Sequence, residues 1–200
     1  MVEAYNKSNP NIFGRSYSEW TSEWWRWLLS APTSMNPLVD NSGLHASIDQ
    51  PSYVWFLVGS FPNSDRNYPA RKSQIPSETS ILFPVINCEA SRLEYPELIS
   101  DQDLIDHVRN DMSTIVKKDC FINGDRVVPE RVKSEPEIFP ITINEDNPFG
   151  ISHGGTTFAT SDGYWVFLKP PRMGHHLISF QGSCELGRLN SGASYEIEIY

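Results

Sequence analysis

Two hundred residues with 39% hydrophobic and 20% charged side chains have the balance of one folded domain, unlike a disordered chain. Sixteen basic against 25 acidic residues leave a formal charge of −9, which argues against a nucleic-acid partner and against anionic membranes. No run approaches the roughly 20 apolar residues needed to span a bilayer.

Residues 1–15 are polar, contain Pro10 and Gly14, and read as an arm. Their start lacks the basic-then-apolar pattern of a signal peptide, so a cytoplasmic location is expected; secretion stays open if a signal has been removed. Ser16 followed three residues later by Glu19 predicts a capping box. Behind it Trp20, Trp24, Trp27 and Leu28 recur at helical spacing, and Pro32 ends the helix. A loop follows from Met35 to Gln50.

Tyr53-Val54-Trp55-Phe56-Leu57-Val58-Gly59 predicts a strand buried on both faces. Pro62 to Ser80 reads as a polar loop. Ile81-Leu82-Phe83-Pro84-Val85-Ile86 predicts a second strand, and Pro84 places it at an edge or on a bulge. Ser100 with Asp101 and Asp103 caps a helix whose stripe is Leu104, Val108, Met112 and Ile115, ending near Lys117-Lys118. Asn123-Gly124 predicts a type I′ hairpin within Cys120 to Val128.

Phe139 to Ile143 predicts a further strand interrupted by Pro140. Gly163 to Leu168 and His176 to Phe180 read as strands joined through Pro170-Pro171. The end, Tyr195-Glu196-Ile197-Glu198-Ile199-Tyr200, alternates as a half-exposed strand should. The expected fold is mainly β (α+β). Its core is an antiparallel β-sandwich or jelly roll carrying the Trp-rich helix and one further helix at about 101–118. One domain is expected, with 1–15 as arm and 16–200 as the sandwich.

Val54-Trp55-Phe56-Leu57-Val58-Gly59, the Ile81 to Asn87 segment, and Ser161-Asp162-Gly163-Tyr164-Trp165-Val166-Phe167-Leu168-Lys169-Pro170 resemble a family of uncharacterised bacterial and archaeal proteins. The Trp-rich helix is similar too, so the resemblance covers most of 16–200. It implies no activity and no catalytic residue. Members have cysteines near the positions of Ala46 and Ser73, which this chain lacks.

Common catalytic motifs are missing: no glycine-rich dinucleotide or phosphate loop, no Gly-x-Ser-x-Gly elbow, no His-Glu-x-x-His and no Cys-x-x-Cys. No metal-ligand set and no cofactor is assigned. Three cysteines (Cys88, Cys120, Cys184) cannot all pair; free buried thiols are expected, with one disulfide plus a leftover thiol as the alternative. Adjacent His175 and His176 on a strand point to opposite faces and cannot easily chelate one ion, so His176 is expected to pack with Ile178 and Phe180.

Glu89 and Glu94, flanking the end of an apolar strand, form the more informative constellation. Two carboxyls brought together there can divide into acid and base. Cys88 offers a nucleophile or metal ligand if a histidine such as His45 or His153 approaches. His153, in His153-Gly154-Gly155, is the best single candidate for a general base. The plainer alternative has Glu89 and Glu94 holding loop amides or pairing with Arg71 and Arg92, and leaves Cys88 as a small buried hydrophobe.

Asp162-Gly163 reads first as a turn, with a ligand-binding role open for Asp162. Trp20, Trp24, Trp25 and Trp27 exceed what one helix stripe buries; they read first as an aromatic plug sealing one end of the sandwich, and otherwise Trp24 and Trp25 offer a flat surface for a sugar, a cation or a partner protein. Two functions therefore stand. The leading one is a non-catalytic binding or interaction module for a small molecule or protein, using Trp24, Trp25, Arg71 and Asp162. The alternative is a small-molecule enzyme, of hydrolase or metal type, using Glu89 and Glu94 with Cys88 or a histidine such as His153.

Overall fold

The computed structural model describes residues 3–62, 67–185 and 187–200. Its N-terminal half holds α1 (Tyr17–Ser30), β1 (Val54–Phe56), β2 (Ala70–Ile75), β3 (Ser80–Ser91) and α2 (Asp101–Ser113). Then come β4 (Ile115–Ile122), β5 (Asp125–Arg126), β6 (Glu130–Lys133), β7 (Phe139–Ile143), β8 (Gly155–Leu168), β9 (Gly174–Cys184) and β10 (Asn190–Ile199). One sheet has the order β1-β3-β8-β6, with β7 also on β8; the other runs β2-β10-β9-β4-β5.

The fold is mainly β with two helices, but the sheets are mixed rather than wholly antiparallel. β1 lies parallel to β3, and β2 lies parallel to β10. β2 falls inside the segment expected to be a loop. Its sequence, Ala-Arg-Lys-Ser-Gln-Ile, buries only Arg71 and Ile75, and a half-exposed edge strand needs no apolar run.

Strand alternation divides the first sheet between two cores. Leu82, Trp165 and Phe167 face α1, while Ile81, Phe83, Val166 and Leu168 face the second sheet. The result is three layers: helix, sheet, sheet. A third, smaller core forms where Leu104 and Val108 of α2 meet Ala90 of β3.

Capping boxes start both helices, Ser16 with Glu19 and Ser100 with Asp103. α2 ends at Ser113, short of the expected Lys118, because β-branched Ile115 and Val116 continue as β4 beside β9. Pro84 sits at a bulge, where the register against β8 shifts between Pro84 and Ile86. Pro140 lies on β7, which pairs only with β8. Asn123 and Gly124, both at positive φ, turn the β4–β5 hairpin as expected. The expected turn at Asp162-Gly163 is instead the middle of β8, paired with Cys88 and Asn87. Gly163 is needed there because a Cβ would fall 2.6 Å from that of Asn87.

The arm is docked rather than free. Tyr5 N–H donates to Phe167 O at 2.7 Å, and Ile12 is buried against α1.

α1 hides all four of its tryptophans, with Trp20, Trp24, Trp25 and Trp27 exposed by 4, 2, 5 and 7%. The exposed tryptophan surface expected as the alternative does not form, because loops cover the flanks left open by the sheet. The Trp20 indole N–H donates to Ile12 O, that of Trp24 to Leu57 O, and that of Trp27 to Ile48 O. Trp25 packs against Phe149 from the segment between β7 and β8.

Candidate functional site

The outer edge of β3 carries the site. β1 covers that edge only over Ser80–Leu82. Beyond Leu57 the chain leaves β3 and crosses to the second sheet, where Ser60 bridges to Gly192 of β10. Gly59 allows the crossing, since a Cβ there would collide with Ser191. The divergence opens a cavity of about 440 Å³ between α1, the bare edge of β3, α2 and the chain entering β10. That volume lies within the range of ligand sites.

Glu89 and Glu94 converge in this cavity. Glu89 lies on β3 three residues after Ile86 and is 8% exposed. Ser91 ends β3 and its hydroxyl accepts from Glu94 N–H at 3.3 Å, turning the chain so that the second carboxyl returns toward the first. The two carboxyls share a hydrogen bond. Burial pushes Glu89 well above the usual carboxylate range, and the neighbouring Glu94 adds to it. Burial likewise lifts Glu94, to about 7, against the opposing hydrogen bonds from Glu89 and Tyr95. The pair therefore keeps a shared proton to higher pH than free carboxyls would, with Tyr95 opposing the rise at Glu94.

Cys88 lines the cavity with its thiol 3.8 Å from Asp111 Oδ2. Burial, then the negative charges of Asp111, Glu89 and Glu94, pushes the thiol well up. A thiolate is disfavoured there, which speaks against a nucleophilic or metal-ligating Cys88. None of the three cysteines is in a disulfide.

The histidine at the site is His107 of α2, not His153. Its ring lies 4.5 Å from that of Tyr95, and Nε2 is 3.9 Å from Asp111 Oδ2, outside hydrogen-bond range. His153 is exposed and does not line the cavity. Glu89 pairs with Ser161, about 20 Å along β8 from its first residue Gly155 at the usual rise per residue, and His153 lies before that strand begins. His45 does not reach the cavity either. Sequence reasoning passed over His107, yet it sits three residues after Leu104 and four before Asp111, on the helix face that packs inward.

Trp24 and Trp25 form the aromatic wall opposite β3, their rings edge-to-face at 5.0 Å. Their contact with a ligand would be from within the fold, not from an exposed surface. Arg71 and Asp162 serve other ends. Arg71 is fully buried and donates to Asp40 O, Val58 O, Leu38 O and the Tyr195 hydroxyl, tying three segments together behind the cavity. Asp162 is buried in an ion pair with Arg131, at 2.7 Å to Nη2. Neither arginine expected beside the carboxyls is there: Arg92 pairs with Asp101. His176 is half-buried on the side of Ile178 and bonds to Arg172 O at 2.7 Å, while His175 is exposed.

Among the described residues, four polar atoms of cavity-lining side chains have no hydrogen-bond partner: Trp25 Nε1, Asn87 Nδ2, Glu89 Oε1 and His107 Nε2. Buried polar groups are normally paired, so such a concentration marks the place where something else completes them. No three His, Cys, Asp or Glu side chains among the described residues are grouped as a metal site requires. No helix among the described residues is long and apolar enough to cross a membrane.

Comparisons with family models, curated proteins and solved structures find no match to this chain.

Proposed function

We propose that this chain is a small-molecule enzyme of hydrolase type, with Glu89 and Glu94 as its acid–base pair. The observation that carries the reading is the pair itself: two carboxyls sharing one hydrogen bond inside an aromatic-walled cavity, both lifted by burial. Perturbed titrating groups of this kind gather at catalytic sites. The return of the chain at Ser91 sets the second carboxyl beside the first. Such a pair suits the activation of a water, the task of paired carboxyls that share a proton.

Glu94 carboxylate takes a proton from water while the water oxygen bonds to an ester or lactone carbonyl carbon. Glu89 gives its proton to the carbonyl oxygen. As the tetrahedral adduct collapses, the bond to the leaving alkoxy oxygen breaks and Glu94 returns its proton to that oxygen. The proton on the former carbonyl oxygen goes back to Glu89, leaving acid, alcohol and the starting pair. Trp24 and Trp25 would bound the substrate and exclude bulk water.

The test is hydrolysis of p-nitrophenyl acetate and dihydrocoumarin by the full chain, followed across pH. Turnover that peaks near neutrality and falls at least about a hundredfold in Glu89→Gln and Glu94→Gln, with circular dichroism unchanged, supports the reading. Turnover that is equal in both variants overturns it.

A non-catalytic binding role is the second reading, favoured by the same cavity and its aromatic wall. It takes the form of an internal site, since α1 leaves no tryptophan on the surface. Ligand binding without any turnover distinguishes it.

A further inference from the structure

Four unpartnered polar atoms at the cavity also restrict what can occupy it. Trp25 Nε1 is a donor only, and Asn87 Nδ2 is a donor only. Trp25 is 5% exposed and Glu89 is 8% exposed, so neither group can turn outward to water without moving the wall. Glu89 Oε1 accepts, and His107 Nε2 takes either part according to its tautomer. A matching ligand must therefore bring at least two acceptors and at least one donor.

Charge narrows the choice. Glu89, Glu94 and Asp111 line the cavity, while Arg188 stands exposed at its rim. An anion would meet three carboxyl groups. A simple ammonium brings donors alone and leaves both the Trp25 indole N–H and the Asn87 amide unanswered, a loss of about tenfold in affinity for each. A hydroxyl is donor and acceptor at once. Trp24 and Trp25 add an apolar wall against which the C–H groups of such molecules pack.

We infer that the cavity takes a neutral, hydroxyl-rich small molecule of about monosaccharide to disaccharide size, held by Trp25 Nε1, Asn87 Nδ2 and Glu89 Oε1. This rests on the proposed site at Glu89 and Glu94 and specifies what enters it. Under the hydrolytic chemistry above, the substrate is a hydroxylated ester or lactone.

The experiment is calorimetric titration of the full chain with D-glucose, cellobiose and myo-inositol, set against choline and putrescine as cations and acetate as anion. Binding of at least one polyol with a millimolar or lower Kd is expected, weakened about tenfold by Trp25→Phe, which keeps an aromatic ring and removes the N–H. Asn87→Asp, which keeps the shape and removes the donor, should weaken it similarly. Polyol binding that neither variant alters overturns the inference, as does binding of choline or putrescine with no polyol response. Failure of all three polyols overturns it as well. The hydrolytic reading is judged separately, by ester turnover in Glu94→Gln: turnover without polyol binding removes the ligand class alone, and polyol binding without turnover removes the catalysis alone.

Discussion

Replacing Glu94 with Gln should make this protein more stable at neutral pH while abolishing the proposed activity. Burial raises the Glu94 carboxyl from 4.5 to about 7 in the folded state. Below pH 4.5 both folded and unfolded chains hold the proton, and the group does not distinguish them. As pH climbs toward 7 the unfolded chain ionises first, so the folded state binds more protons and stability falls with rising pH. The loss is complete above about 7. A rise of that extent corresponds to about 3 kcal/mol at roughly 1.4 kcal/mol per pH unit. Gln cannot ionise, so the variant escapes this loss and also relieves Glu89 of a neighbouring charge. For a chain of this length about 3 kcal/mol converts to roughly 6–12 °C in Tm. Thermal melts of both proteins at pH 4.5, 6 and 8 should coincide at the lowest pH and separate progressively above it. A variant that melts lower than the parent by the same amount at every pH would refute the reasoning, because Glu94 would then be an ordinary packing contact. Stability gained where activity is lost is the expected mark of a functional residue held at structural expense.

Three further outcomes follow from the same geometry. Tyr95→Phe removes a hydrogen bond that holds Glu94 down, so the Glu94 carboxyl should titrate higher still, read by carbon NMR of labelled glutamate. Arg131→Ala leaves Asp162, 1% exposed, without its guanidinium partner and should cost about 3 kcal/mol in denaturant unfolding, with the cavity intact. Cys88, its thiol pushed up by burial and by the carboxylates around it, should alkylate with iodoacetamide at pH 8 far more slowly than free cysteine. Alkylation at the free-thiol rate would mean that the cavity opens more widely than its walls suggest.

Much of the local structure was written in the chain. The two capping boxes, the Asn123-Gly124 turn, the Pro84 bulge and the alternation from Tyr195 onward are rules obeyed within a few residues, where neighbours along the sequence supply the partners. The pairing of Glu89 with Glu94 was also within reach, because a strand end followed by a tight return brings positions five apart together. Long-range partners decided the rest. Nothing in Ala70–Ile75 announces a strand, since its ladder is provided by β10, 124 residues away. Asp162-Gly163 has the composition of a turn, and only Arg131 across the sheet keeps the aspartate inside it. Trp24 and Trp25 could not be known as inner walls until residues 36–50 and Phe149 closed over the helix. The cavity depends on the crossing of residues 57–60 from one sheet to the other, which leaves the edge of β3 bare. Periodicity and capping are local energies that one segment settles alone. A concave site is the space between segments, and its residues, His107 rather than His153 among them, are chosen by how the layers meet.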